Sequence, residues 1–233
     1  MGNSNFTKRQ RFPILMSGLE GVGKTTITYS LAMKYHKAGK KIGLFDADVY
    51  GPNLINLFAY ANPNQSAHNS KITPAKLPYL IDGIEFSSTD LLFDPDDAAM
   101  LRGPMLSKIL KELYEKSFSA DLDYLFIDMP PGTGDAYITV FKDLNIQKAV
   151  LVYVDDPLCI ADLKRTIKML DLLQVDVVAA IENLAESEQT ITNNELKALG
   201  LNKSLTIPRI ARHDLYNMYL RTGKLEKLLP ETL

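Results

Sequence analysis

Gly18-Leu19-Glu20-Gly21-Val22-Gly23-Lys24-Thr25 decides how this chain is read: it fits the phosphate-loop pattern GxxxxGKS/T and follows a short apolar segment, Ile14-Leu15-Met16. Glycines let successive backbone N–H groups turn inward around a triphosphate. Lys24 brings an ammonium for the β and γ phosphates, and Thr25 a hydroxyl for Mg²⁺. Downstream, Ile27, Leu31, Tyr35 and Ala38 recur at helical spacing. The loop is therefore expected between a strand and a helix, the setting in which its amides converge on an anion.

Outward from the loop, strand-like runs alternate with helical ones. Strands are read near 13–17, 41–45, 84–87, 124–128, 148–154, 175–181 and 204–207. Leu106, Ile109, Leu110 and Leu113 form one apolar stripe, and Ile160, Leu163, Ile167 and Leu170 another, opened by Asp156 and Pro157 as cap and first turn. Thr192 with Glu195 has the form of a capping box for a helix ending at Gly200, and Leu215, Met218 and Tyr219 mark a last helix closed by Gly223. Such alternation predicts an α/β fold, a mostly parallel sheet with helices on both faces and its ligand at the carboxyl ends of the strands. Residues 11–233 are expected to form one phosphate-loop domain behind a disordered polar arm, 1–10, and 61–78 reads as a long loop or irregular hairpin.

Composition narrows the function. Lys and Arg total 26 against 28 Asp and Glu, a net charge of −2 that offers no general attraction to nucleic acid or anionic lipid. The longest apolar run, 149–154, is far shorter than the ~18 residues of a membrane span. Met1-Gly2 is not followed by the Ser or Thr at position 6 that myristoylation wants; Phe6 stands there. The single cysteine, Cys159, excludes an internal disulfide framework and fits a reducing compartment such as the cytoplasm.

Two acidic motifs fall at predicted strand ends: Asp46-Ala47-Asp48, and Asp128 followed by Met129-Pro130-Pro131-Gly132-Thr133-Gly134-Asp135. Nucleotide hydrolysis needs a carboxylate for Mg²⁺ or its water, a group that orients the attacking water, and a loop that senses the γ phosphate. Asp128 suits the first role, Asp48 the second and 132–135 the third. An isolated strand-end aspartate ordinarily caps the turn after it; several flanking one phosphate loop point to metal and water.

Asp46-Ala47-Asp48-Val49-Tyr50-Gly51-Pro52, Arg102-Gly103-Pro104-Met105 and Ile127 through Asp135 together resemble the signature blocks of the Mrp-type ATPases. These are iron–sulfur cluster carriers within the MinD/ParA group of dimerising phosphate-loop ATPases. The resemblance implies that Gly18, Gly21, Val22, Gly23, Lys24, Thr25 and Thr26 bind the phosphates of ATP. It implies that Thr25, Asp46 and Asp128 serve Mg²⁺ directly or through water, and that Asp48 positions the nucleophilic water beside Lys24. Asn183 stands where relatives read adenine with an asparagine amide, the alternative being a plain turn residue, and Pro208 with Arg209 borders the base. Relatives form homodimers face to face around two ATP molecules.

Two departures set this chain apart. MinD/ParA-type loops usually read KGGVGKS/T, whose early lysine reaches the partner's nucleotide; here Leu19 replaces that lysine and Glu20 a glycine. Two like unit charges at ~4 Å repel by about 1 kcal/mol in water and about 4 at an effective dielectric of 20. Glu20 must point away, pair with a cation or weaken binding. Loss of a cation of the arginine-finger kind costs roughly 10³ to 10⁵ in rate, so slow ATP hydrolysis is expected. Second, Mrp-type carriers hold a bridging [4Fe–4S] cluster on a CxxC pair from each subunit, and this chain has no CxxC. One Cys159 per subunit supplies too few thiolates, so no iron–sulfur cluster is expected and Cys159 reads as a buried structural cysteine. His36, His68 and His213 have no ligand spacing.

The sequence reading is thus a cytoplasmic, Mrp-like ATPase that forms a homodimer around ATP and Mg²⁺ and serves an unnamed protein client as a maturation factor or adaptor. No nucleic acid or stable membrane association is expected. The rivals are a MinD- or ParA-like positioning ATPase acting on membrane or DNA, and a nucleotide-gated scaffold that never hydrolyses. The first needs a basic surface or an amphipathic tail, for which Leu225, Leu228 and Leu229 before Pro230 offer little.

Overall fold

The structure is a computed structural model that describes residues 12–61, 78–92, 103–131, 144, 146–186, 196–201 and 205–233, the side chains of 217 and 218 excepted. Among the described residues the strands are β1 (Phe12–Ser17), β2 (Ile42–Asp46), β3 (Tyr79–Ile81), β4 (Ile84–Ser88), β5 (Tyr124–Asp128), β6 (Lys148–Tyr153), β7 (Asp176–Ala185) and β8 (Leu205–Pro208). They form one sheet in the order β3-β4-β2-β5-β1-β6-β7-β8. Every neighbouring pair is parallel except β3 with β4. β1, which carries the phosphate loop, is central, between β5 and β6.

Burial explains this order. All five residues of β2, and the last four or more of β1, β5 and β6, are buried in unbroken runs. Successive side chains of a strand point to opposite faces, so both faces of the sheet centre are covered, as crossover helices in a parallel sheet require. Helix α1 (Lys24–Lys37) packs on β1, β2 and β5; α3 (Gly103–Lys116) on β4; α4 (Pro157–Leu172) on β6 and β7. Asp156 caps α4 as its sequence foretells, its Oδ1 accepting from the amides of Leu158 at 2.8 Å and Cys159 at 3.3 Å with Pro157 in the first turn.

Three elements differ from the sequence reading. Helix α2, Leu54–Ala61, is one to which the alternation of strands and helices assigns no residues; its apolar run LINLFAYA buries Leu54, Leu57 and Phe58, and Asp46 holds its first amides. Second, β3 and β4 make an antiparallel hairpin across Asp82 and Gly83, with φ of 52° and 83°. That is the left-handed pair an Asp-Gly turn supplies, so the signal lay in the sequence. Third, the last helix is a short turn, Arg212–Asp214, running into a π-helical stretch, Leu215–Leu220. The expected arm 1–10, most of 61–78, the 132–135 loop and the Thr192–Glu195 box lie outside the described residues.

The carboxyl-terminal residues fold back on α1. Leu225 and Leu229 are buried in the core. Lys34 donates to the Leu229 carbonyl and pairs with Glu231, each at 2.7 Å, and Lys37 pairs with Glu226 at 2.7 Å. Exposed ion pairs are worth less than about 1 kcal/mol each, whereas a buried leucine contributes about 1.5–3. The leucines therefore hold this segment and the lysines orient it.

Candidate functional site

The loop is built by two glycines that admit no side chain. A Cβ on Gly18 would meet the Val152 carbonyl oxygen at 2.1 Å, so the loop leaves β1 pressed against β6. A Cβ on Gly23, whose φ is 90°, would meet Asn183 Nδ2 at 2.4 Å. Lys24 then opens α1, and no side chain among the described residues caps that end. The first-turn amides of α1 remain for an anion, which the helix dipole favours.

Lys24 is buried, and its Nζ donates to the Leu19 carbonyl at 2.7 Å, folding the ammonium over its own loop. Burial pushes its pKa down, while Asp128, Asp48 and Glu20 act to restore it. Asp46 and Asp128 are register partners on β2 and β5, both almost fully buried. Asp128 accepts hydrogen bonds from Thr25 and Thr28, the latter at 3.0 Å. Burial still raises its pKa to about 6 against the pull of Thr25, Thr28 and Lys24. Asp46 is raised by burial and by the neighbouring Asp128 charge, against the amides of Leu54 and Asp48.

The strand-end aspartates divide their work. Asp46 does what a strand-end aspartate ordinarily does: Oδ1 accepts from the Asp48 amide at 3.1 Å, Oδ2 from those of Asn53 at 2.9 Å and Leu54 at 3.0 Å. Asp48 is less committed, accepting only the Gly51 amide at 3.0 Å among the hydrogen bonds resolved for its carboxylate. It lines a cleft of about 500 Å³ with Gly23, Lys24, Thr25, Thr26 and Arg212. Thr28, which the motif does not include, is the residue that sequence reasoning missed here. Its hydroxyl lies 2.9 Å from the Lys24 carbonyl and 3.0 Å from Asp128, tying α1 to β5.

A second cleft of about 530 Å³ shares Glu20 and Gly21 with the first and extends past Val22 to Glu182, Leu184 and Arg209. Asn183 lies in β7 rather than in a turn; it is buried, and its Nδ2 donates to the Val22 carbonyl at 2.8 Å. Pro208 ends β8 in register with Ala185. Arg209 beside it pairs with Glu186 at 2.9 Å. Glu182 is wholly buried at this cleft, a position the sequence reading passed over. Leu19 packs partly against the core and Glu20 is exposed, with no ion pair among the described residues.

These residues fit a nucleotide with Mg²⁺. Two buried carboxylates side by side, one bonded to the loop threonine, are an electrostatic setting that a divalent cation relieves. No cluster of three or more His, Cys, Asp or Glu among the described residues is set for a metal ion. Mg²⁺ keeps waters and phosphate oxygens and takes only one or two protein ligands. The one cysteine of the 233 residues is buried at 3% exposure, and burial pushes its thiol pKa up.

Comparisons with known proteins bear on the family and the fold. The family model of the ParA-type NUBPL iron-transfer P-loop NTPases matches residues 9–209. An iron–sulfur cluster carrier protein of Synechocystis is 36% identical over 172 residues, covering 73% of this chain and 48% of its own; one from Methanocaldococcus jannaschii is 33% identical over 183 residues, covering 78% and 62%. The chain thus spans about half to three-fifths of the length of these relatives. A nucleotide-binding protein of Archaeoglobus fulgidus, solved with ADP, superposes with a TM-score of 0.70 at 27% identity, over 96% of this chain and 90% of that one. MinD of Pyrococcus horikoshii with Mg-ADP shares the fold at 20% identity and a TM-score of 0.65, over 96% and 90%. Family match, fold and loop agree, and the chain belongs to the NUBPL-type iron-transfer family of ParA-like P-loop NTPases.

Proposed function

We propose that this protein binds ATP with Mg²⁺ at the loop, dimerises around it and hydrolyses it slowly, serving iron–sulfur protein maturation as a nucleotide-switched factor or adaptor. The carrying observation is the constellation of Lys24, Thr25 and Asp128: the loop hydroxyl is hydrogen-bonded to the strand-end carboxylate, and the loop cation acts on that carboxylate electrostatically while its ammonium donates to the Leu19 carbonyl. In this reading Gly18, Gly21, Val22, Gly23, Lys24, Thr25 and Thr26 hold the phosphates. Thr25, Asp46 and Asp128 hold Mg²⁺, Asp46 through water because both its oxygens already take amides. Bound Mg²⁺ would neutralise charge on the β and γ phosphates.

Asp48 orients the attacking water, being the cleft carboxylate with capacity to spare. Lys24 leaves the Leu19 carbonyl for the phosphates, an exchange of a neutral acceptor for a charged one. Asn183 keeps Nδ2 on the loop and offers Oδ1 to the exocyclic amine of adenine, with Pro208 at the edge of the base. The related carriers' cargo is an iron–sulfur cluster; this chain's part in that work is as a switch rather than a ligand. Leu225 and Leu229 are buried and so unavailable to a lipid surface, which counts against their use in a membrane-positioning ATPase; a cytoplasmic location is part of this reading. No helix among the described residues is long and apolar enough to cross a membrane.

Calorimetric titration with MgATP and a phosphate-release assay test the assignment. Lys24→Ala should nearly abolish binding; Asp48→Ala should bind ATP as wild type does and release no phosphate. Equal affinity in wild type and Lys24→Ala refutes the site. Tight ATP retention without phosphate release in wild type would make the protein a nucleotide-gated scaffold.

A further inference from the structure

The loop supplies one ammonium to a ligand that carries several negative charges, and the cleft adds carboxylates of its own. Glu20 and Asp48 both line it, and both act on Lys24 electrostatically. Among the described residues lining this cleft, the one other cation is Arg212. It sits on the turn after β8, exposed, and makes no ion pair or hydrogen bond among the described residues. Arg209, three residues earlier, is by contrast engaged with Glu186 at the other cleft.

The segment presenting Arg212 is held in place. Tyr216, in the π-helical stretch, packs its ring on Tyr60 of α2 at a centroid distance of 4.8 Å, and both tyrosines line the cleft. Arg221, one residue beyond that stretch, donates its Nε to the Tyr60 carbonyl at 3.1 Å. Two ties thus fasten the segment across the cleft to α2. A π-helical stretch in a helix often marks a functional site, because it displaces side chains from their regular positions. A guanidinium is a planar fork matched to phosphate oxygens, and it stays charged in any surroundings.

We propose that Arg212 is a second phosphate-binding cation of this site, reaching the polyphosphate chain from the turn after β8. It offsets the negative charge that Glu20 adds and supplies a donor that Leu19 cannot. The proposal rests on the nucleotide-binding reading above, deepening it by naming a phosphate-binding residue outside the loop.

The test is calorimetric titration of the full chain with MgATP and, separately, with inorganic tripolyphosphate, in wild type, Arg212→Gln, Arg212→Lys and Lys24→Ala. Because Arg212 is exposed, all Arg212 variants should melt at the wild-type temperature. Loss of a charge-assisted contact predicts that Arg212→Gln weakens both ligands about tenfold to a hundredfold and flattens the dependence of affinity on salt. Arg212→Lys should recover part of the loss. Unchanged affinity in Arg212→Gln beside a Lys24→Ala variant that no longer binds overturns the proposal and leaves the nucleotide site standing. A loss for MgATP but none for tripolyphosphate also overturns it, since Arg212 would then touch the nucleoside. Failure of wild type itself to bind either ligand overturns the nucleotide reading and this proposal with it.

Discussion

The side-chain amide of Asn183, on β7, donates to the Val22 carbonyl of the phosphate loop at 2.8 Å, and both residues are buried. This contact spans 161 positions of sequence and fastens the loop to the sheet. It also sets the limit on Gly23, whose Cβ would strike the same amide nitrogen at 2.4 Å.

Asn183→Ala should therefore act on the loop before it acts on any base. Stranding the buried Val22 carbonyl costs about 1–3 kcal/mol. Urea unfolding should show that loss without ligand, and ATP affinity should fall as well. If stability is unchanged while affinity drops, the amide serves the nucleotide alone.

The paired carboxylates predict a pH dependence. Burial raises the Asp128 pKa from the usual carboxylate value to about 6, and Asp46 shifts the same way. A carboxylate whose pKa is higher folded than unfolded favours the folded state at low pH, and that contribution is lost as pH rises through the folded pKa. Metal-free protein should thus lose on the order of 1–3 kcal/mol between pH 4 and 7 from this pair. Added Mg²⁺ with nucleotide should restore it, and Asp128→Asn should flatten the profile. Urea titrations across that range, with and without MgADP, are the check; a metal-free stability that climbs with pH contradicts the assignment.

Leu19 and Glu20 should account for most of any deficit in turnover. The double change Leu19→Lys with Glu20→Gly adds a cation aimed at the γ phosphate and removes an exposed carboxylate from the loop. A charge placed where negative charge develops acts mainly on the transition state, so the rate should rise by about tenfold or more with a smaller change in affinity. A double mutant that dimerises with ATP yet hydrolyses no faster would show that another residue already fills the role.

Anaerobic reconstitution with iron and sulfide should leave no stable [4Fe–4S] cluster. A dimer offers two Cys159 thiols, each buried and held against ionisation. Iron analysis after desalting checks this. About four irons per dimer, lost in Cys159→Ser, would reverse the conclusion.

The sequence by itself determined the loop, the α/β alternation and the strand-end aspartates, because each depends on local spacing: glycines at a bend, apolar residues at helical period, a carboxylate where a strand stops. Asp156 and Pro157 capped α4 as read for the same reason. The Asp82-Gly83 hairpin is equally local, its signal lying in an Asp-Gly pair that takes positive φ. Only the tertiary structure decided what each aspartate has left to offer. Asp46 gives both oxygens to the amides of Asp48, Asn53 and Leu54, whereas Asp128 meets the hydroxyls of Thr25 and Thr28. Those partners arise from strand order and helix packing, which place β2 beside β5 and α1 across them. The same holds for Asn183, for the burial of Leu225 and Leu229, and for Arg212 at the cleft. Each depends on chain segments distant in sequence meeting in space, and no local pattern encodes that meeting.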